Sequence, residues 1–111
     1  MAGTITISVE VELGWGYHDI DSDDRYASLS ERRAAETETL DRFLKILDEY
    51  GIPISFDVVG HLFLDSCTGD HTGPHSDGWF DSDPATDVER DPLFYAPDLI
   101  DSIEEAETDH E

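Results

Sequence analysis

At 111 residues the chain is one domain or a piece of a larger one, and its 38% apolar content is modest but enough for a core. Against 28 Asp and Glu stand 6 Lys and Arg, a net charge of −22, which argues against nucleic-acid phosphates and anionic lipid as partners. The 2 Trp, 4 Tyr and 5 Phe, with clear apolar periodicity, separate the chain from disordered acidic sequences. The charge therefore reads as the coat of a folded, halophilic protein, for which molar salt shortens the screening length to about 3 Å. Cys67 is the single cysteine, so no intramolecular disulfide forms. "MAGTITISVEV" carries neither the basic nor the apolar region of a signal peptide, and no apolar run approaches the roughly 20 residues of a membrane span. The cytoplasm is the expected compartment.

Residues 5–13, "ITISVEVEL", alternate, with Ile5, Ile7, Val9, Val11 and Leu13 on one face and Thr6, Ser8, Glu10 and Glu12 on the other, which predicts a strand. Glu10 and Glu12 then share a side at roughly 7 Å spacing. Such a pair either faces open water or holds its carboxylates at a cation or reacting group, because burying an unpaired charge is expensive. A loop follows through "GWGYHDIDSDDRYAS". "SLSE" offers a capping box, Ser28 with Glu31, that predicts a helix start. Leu40, Phe43, Leu44, Leu47 and Tyr50 form an apolar stripe, Arg33, Asp41, Lys45 and Glu49 take other faces, and Gly51 ends the helix.

Residues 52–60, "IPISFDVVG", predict a second, nearly continuous apolar strand after a very short turn, so a βαβ unit with parallel strands. Residues 65–97 are rich in Gly, Pro, Asp and Ser without a sustained period, a long irregular excursion. Its interleaved Trp79, Phe80, Phe94 and Tyr95 argue against plain disorder. "DLIDSIEEAETDHE" places Leu99, Ile100, Ile103 and Ala106 on one helical face. The order is β, α, β, long loop, α.

Three segments carry a resemblance to the polysaccharide deacetylases that share the NodB homology domain, a distorted (β/α) barrel. "ISVEVELGWG" sits where that family has a first strand ending in paired acids, "ISFDVVG" is similar to its second strand, and "DLIDSIEEAETDHE" is similar to the helix running into "GHEIG". The resemblance implies that residues 1–111 are the N-terminal β-α-β-loop-α portion of such an α/β barrel. It implies a metal-dependent hydrolase that removes acetyl groups from a carbohydrate, with Glu10 as general base and Glu12 as ligand of a divalent metal, zinc by expectation. Aspartate is usual at both places in the family. The motif His-Ser/Thr-x-x-His, which supplies the remaining ligands there, is expected beyond residue 111, so the 111 residues alone are expected to be inactive. Trp15 and His18, with Tyr17, lie just past the strand's carboxyl end, where parallel barrels place their active sites; they suit stacking on a sugar ring or the anchoring of the loop. A non-catalytic acidic module that binds sugars or another partner is the competing reading. The oligomeric state is left open.

Three further features invite chemistry. Asp19, Asp21 and Asp23 match the first ligand positions of an EF-hand, but Asp24 and Ser30 stand where that loop needs Gly and Glu. "CTGDHTGPH" gathers Cys67, Asp70, His71 and His75, all zinc-ligand types, in a loop that Gly73 and Pro74 keep from being helical; a solvated loop is the alternative. Asp57, amid the apolar second strand, either lines a barrel interior or pairs with an arginine.

The charge makes a direct prediction. Secondary structure should increase as KCl rises from tenths of molar to molar, because screening relieves self-repulsion. Circular dichroism across that range checks it, and a cooperatively melting domain in low salt would contradict the halophilic reading.

Overall fold

The computed structural model describes residues 2–17, 23–81 and 83–111. Among them, β1 (Ser8–Val11) and β2 (Ser55–Val58) form a two-stranded parallel sheet, with α1 (Asp23–Tyr50) between them in sequence and α2 (Pro97–Glu104) after a long excursion. The expected βαβ order with parallel strands is what the chain adopts. This is a small α/β unit; a barrel is not seen.

Both strands are shorter than the alternation predicts. Ile5 is 89% exposed and Ile7 45%, so β1 packs only through its carboxyl half, where Val11 is buried. Leu13 adopts φ +49, which stops the strand and starts a 3₁₀ turn over Leu13–Tyr17. In β2, Pro53 has no N–H to give a ladder, and pairing begins at Ser55.

The first helix begins at Asp23 instead of Ser28, which lies within its backbone. No Gly or Pro interrupts residues 23–50. Its end is as expected. Gly51 takes φ +61, Ile52 N–H donates to Leu47 O at 2.9 Å and Gly51 N–H to Asp48 O at 3.2 Å, the paired bonds of a Schellman cap. Leu44 and Leu47 are buried, but Tyr50 at the end of the stripe is 68% exposed. Arg33, expected to face outward, is buried instead. Its Nε donates to Pro92 O at 2.8 Å and its Nη2 to Asp98 at 2.7 Å, tying α1 to the excursion and to the first turn of α2.

The second helix is likewise shorter than its periodicity suggests. It stops at Glu104 because the Asp48 carboxylate, on α1, accepts the N–H groups of Glu107 and Thr108 at 3.2 and 2.8 Å and turns the chain. These bonds hold the Asp48 carboxyl below the usual carboxylate range. Residues 109–111 then run beside β2, where Glu111 N–H donates to Ile54 O and Phe56 N–H to Glu111 O, the pattern of a parallel neighbour. Asp57 is exposed and sits in register with Glu10, with no arginine partner among the described residues.

A 3₁₀ turn at Gly60–Phe63 leads into the excursion, which is irregular, as predicted, apart from one antiparallel bridge, Ser66 with Asp87. Its far end is core. Leu93, Phe94, Tyr95 and Ala96 pack with Trp15, Leu62, Phe56 and Leu99. No described helix is long and apolar enough to cross a membrane.

Gly14 shows how tightly the two loops meet. Its N–H donates to Leu93 O at 2.9 Å, and a Cβ there would stand 3.0 Å from Phe94 Cζ and 3.1 Å from that same carbonyl. Because one of those neighbours is backbone, Gly14→Ala should cost about 2 kcal/mol. Denaturant unfolding in molar KCl measures the loss.

Candidate metal centre

Four side chains converge on one point between the carboxyl end of β2 and the excursion. His61 comes from the 3₁₀ turn just after β2, and Cys67, His71 and Asp83 come from the irregular segment. One ligand atom from each lies within 4.8 Å of all the others, so the set could hold a metal ion. Among the described residues it is the one such group of three or more His, Cys, Asp or Glu.

The cluster is oriented by its own surroundings. His61 Nδ1 lies 2.9 Å from Phe94 O, and since a carbonyl only accepts, Nδ1 carries the proton and Nε2 offers its lone pair. That Nε2 faces Asp83 Oδ2 at 3.3 Å. The other carboxylate oxygen is satisfied independently: Oδ1 accepts Tyr95 O–H at 3.1 Å and Ala85 N–H at 2.9 Å. Oδ2 is therefore left to the two imidazoles, with His71 Nε2 at 2.6 Å. Cys67 Sγ lies 3.5 Å from His71 Nε2 and accepts Gly69 N–H at 3.2 Å.

This geometry separates a metal cage from a nucleophilic relay. In a Cys–His–Asp relay the imidazole uses one nitrogen for the nucleophile and the other for the carboxylate. Here Cys67 Sγ and Asp83 Oδ2 approach the same nitrogen of His71. Convergence of three donors' lone pairs on one spot is what a cation needs. With bonds of about 2.1 Å to N or O and 2.3 Å to S, tetrahedral edges come to about 3.4 to 3.6 Å, close to the 3.3 and 3.5 Å separations seen. The His71–Asp83 pair, at 2.6 Å, would have to open by less than an ångström, and the remaining ligand atoms lie within 4.8 Å of one another.

The electrostatics separate the members of the cluster. Burial works against the charge on Asp83, whose side chain is 1% exposed, yet the His71 and Ala85 hydrogen bonds prevail and lower its pKa to about 2. Burial pushes the Cys67 thiol up, and the Asp83 carboxylate adds to the rise. Tyr95 is pushed up to about 12 by burial and by the same carboxylate, so it remains a donor. His71 stacks on Phe80, ring centroids 3.8 Å apart, and His61 sits against Trp15 and Tyr95.

Sequence reasoning therefore found half of the cluster. Cys67 and His71 are members. Asp70 and His75 are exposed, and His75 turns to the carbonyls of Ser76 and His71. His61 and Asp83 were missed; position directly after a parallel strand's carboxyl end was the available signal for His61, and nothing local marks Asp83.

A cleft of about 520 Å³ adjoins the cluster at the carboxyl ends of both strands, lined by Glu12, Trp15, Val59, His61, Trp79 and Phe80. Glu12 is exposed on its rim, and its carboxylate folds toward Gly16. Glu10 is exposed one register step back, along a groove between β1 and α1. Trp15 is 5% exposed and donates Nε1–H to Phe94 O at 3.3 Å, whereas Trp79 is 48% exposed. His18 and the aspartates Asp19 and Asp21 of the calcium reading lie outside the described residues. Glu12 belongs to no group of three or more candidate ligands among the described residues.

Removing the hub should be costly even without metal. With chelator present, Asp83→Ala leaves the buried Tyr95 O–H and the Ala85 N–H without their acceptor, an expected loss of about 3 kcal/mol, while Asp83→Asn keeps that acceptor and should lose roughly 1 kcal/mol. Urea titrations of the two variants check the order. No protein-family model, no curated protein and no solved structure matches the chain.

Proposed function

We propose that this chain is a carbohydrate-directed hydrolase unit of the polysaccharide deacetylase class, acting on acetyl groups in a salt-rich cytoplasm. The observation that carries the reading is the cleft at the carboxyl ends of the two parallel strands, the end at which α/β folds bind their ligands. Its walls suit a sugar. Trp79 offers an exposed aromatic face for a pyranose ring, Phe80 backs it, and Glu12 supplies an acceptor for hydroxyl groups at the rim.

Deacetylation needs a base to take a proton from the attacking water, and Glu10 and Glu12 are the exposed carboxylates at the end of β1. In the proposed division Glu10 takes the proton and Glu12 is a ligand of the divalent metal. The divalent ion of the reading is zinc, whose preferences the cluster of donors found among the described residues meets with a thiol, two imidazoles and a carboxylate. That cluster is not built around Glu10 and Glu12, so no step of the reaction is routed through it.

One observation favours a second reading, a sugar-binding module without catalysis: Glu12 belongs to no group of three or more candidate metal ligands among the described residues. Acetate release decides between them. In a chain that also carries the His-Ser/Thr-x-x-His ligands, acetate should be liberated from N- and O-acetylated oligosaccharides in molar KCl, and Glu10→Gln should slow this by about a hundredfold. Oligosaccharide binding that Trp79→Ala weakens, with no acetate from any substrate, would establish the binding module instead.

A further inference from the structure

We infer that the His61–Cys67–His71–Asp83 cluster is a closed, four-coordinate structural zinc site that clasps the excursion to the end of β2. The inference rests on the donor set of the cluster and is independent of the hydrolase reading. Four protein donors fill a tetrahedral zinc shell, which leaves no position for water or substrate, and this is how structural sites differ from catalytic ones.

The supports that structural zinc ligands need are present. His61 is fixed through Nδ1–H to Phe94 O, Asp83 through Oδ1 to Tyr95 and Ala85, and Cys67 Sγ receives the Gly69 N–H that favours a thiolate. The side chains of His61, His71 and Asp83 are 4%, 15% and 1% exposed, so the point they share is screened from solvent.

The surrounding chain gives such a site a purpose. From Leu64 to Pro92 no described residue is fully buried, and the segment has no helix or strand of its own. Cys67, Phe80 and Val88 reach the core only in part. A bound ion ties residue 61 to residues 67, 71 and 83 at once, closing three loops. It thereby fixes Trp79 and Phe80, which lie between two of its ligands and form a wall of the cleft.

The test uses the full chain in molar KCl. After exchange with zinc and removal of excess, mass spectrometry should find one zinc per chain. Cobalt substituted for zinc should give the intense visible bands of a tetrahedral site together with a thiolate-to-cobalt charge-transfer band that Cys67→Ser abolishes. Free zinc at a thousand times its Kd should shift the folding equilibrium by about a thousandfold. Trypsin and Glu-C should cut within residues 68–92 of the metal-free protein and spare the loaded one. His71→Ala should lose the ion while His75→Ala and Asp70→Asn keep it. A weak six-coordinate cobalt spectrum without the charge-transfer band, in the wild-type protein, would overturn the inference whatever the variants do. Equal loss of zinc in His75→Ala and His71→Ala would overturn the ligand set. None of these readouts depends on acetate release.

Discussion

The Phe94 carbonyl is the point on which the arrangement turns. It accepts Nε1–H of Trp15 from the turn after β1 and Nδ1–H of His61 from the turn after β2, and it is itself part of the buried run Leu93–Ala96. One oxygen thus fixes the turns after both strands against the returning end of the excursion. A buried carbonyl has two lone pairs and both are used, so neither ring can rotate without leaving a polar atom unpaired in the core. Because His61 Nδ1 is committed there, its Nε2 has only one direction to face, toward Asp83. The chemistry of the cluster follows from a packing constraint.

Two kinds of carboxylate result, and their environments assign them different work. Asp83 is buried with donors on both oxygens and is held ionised far below the ordinary range. Glu10, Glu12 and Asp57 are exposed at or near the ends of the strands, with Glu10 and Asp57 adjacent in register. Like charges at that distance repel, and a chain of net charge −22 gives them few cations to lean on. Molar salt relieves the exposed group by screening, but it reaches the buried one poorly. The buried carboxylate is instead met by hydrogen-bond donors, His71 among them, and by the lone pair of His61 Nε2.

Much of the fold was legible because it rests on local rules. The helix end at Gly51, the strand order and the irregularity of residues 65–97 follow from glycine, periodicity and composition. What escaped was set by contacts distant in sequence. Arg33 looked like a surface residue until Pro92 and Asp98 supplied its acceptors, and the early end of α2 depends on Asp48, more than fifty residues before it. The cluster was half legible for the same reason. Cys67 and His71 sit four apart and suggest each other, whereas His61 and Asp83 join them only when the excursion folds back, and the nearer candidates Asp70 and His75 point elsewhere.

An excursion of this length poses an energetic problem that the core cannot solve alone. Ordering each backbone residue costs about 1–2 kcal/mol, normally offset by buried apolar area or a regular hydrogen-bond ladder. Residues 64–92 have little of either among the described residues, and yet residues 93–96 beyond them form an unbroken buried run. Two anchors therefore bear the difference. Arg33 grips the far end through Pro92 O, and the cluster around Asp83 grips the middle. Asp83 also reaches Tyr95 directly, so the polar cluster and the apolar core share a member. Weakening the cluster loosens the core through Tyr95, and weakening the core turns His61 away from Asp83 through Phe94, which makes the cleft wall, the cluster and the sheet end one cooperative unit.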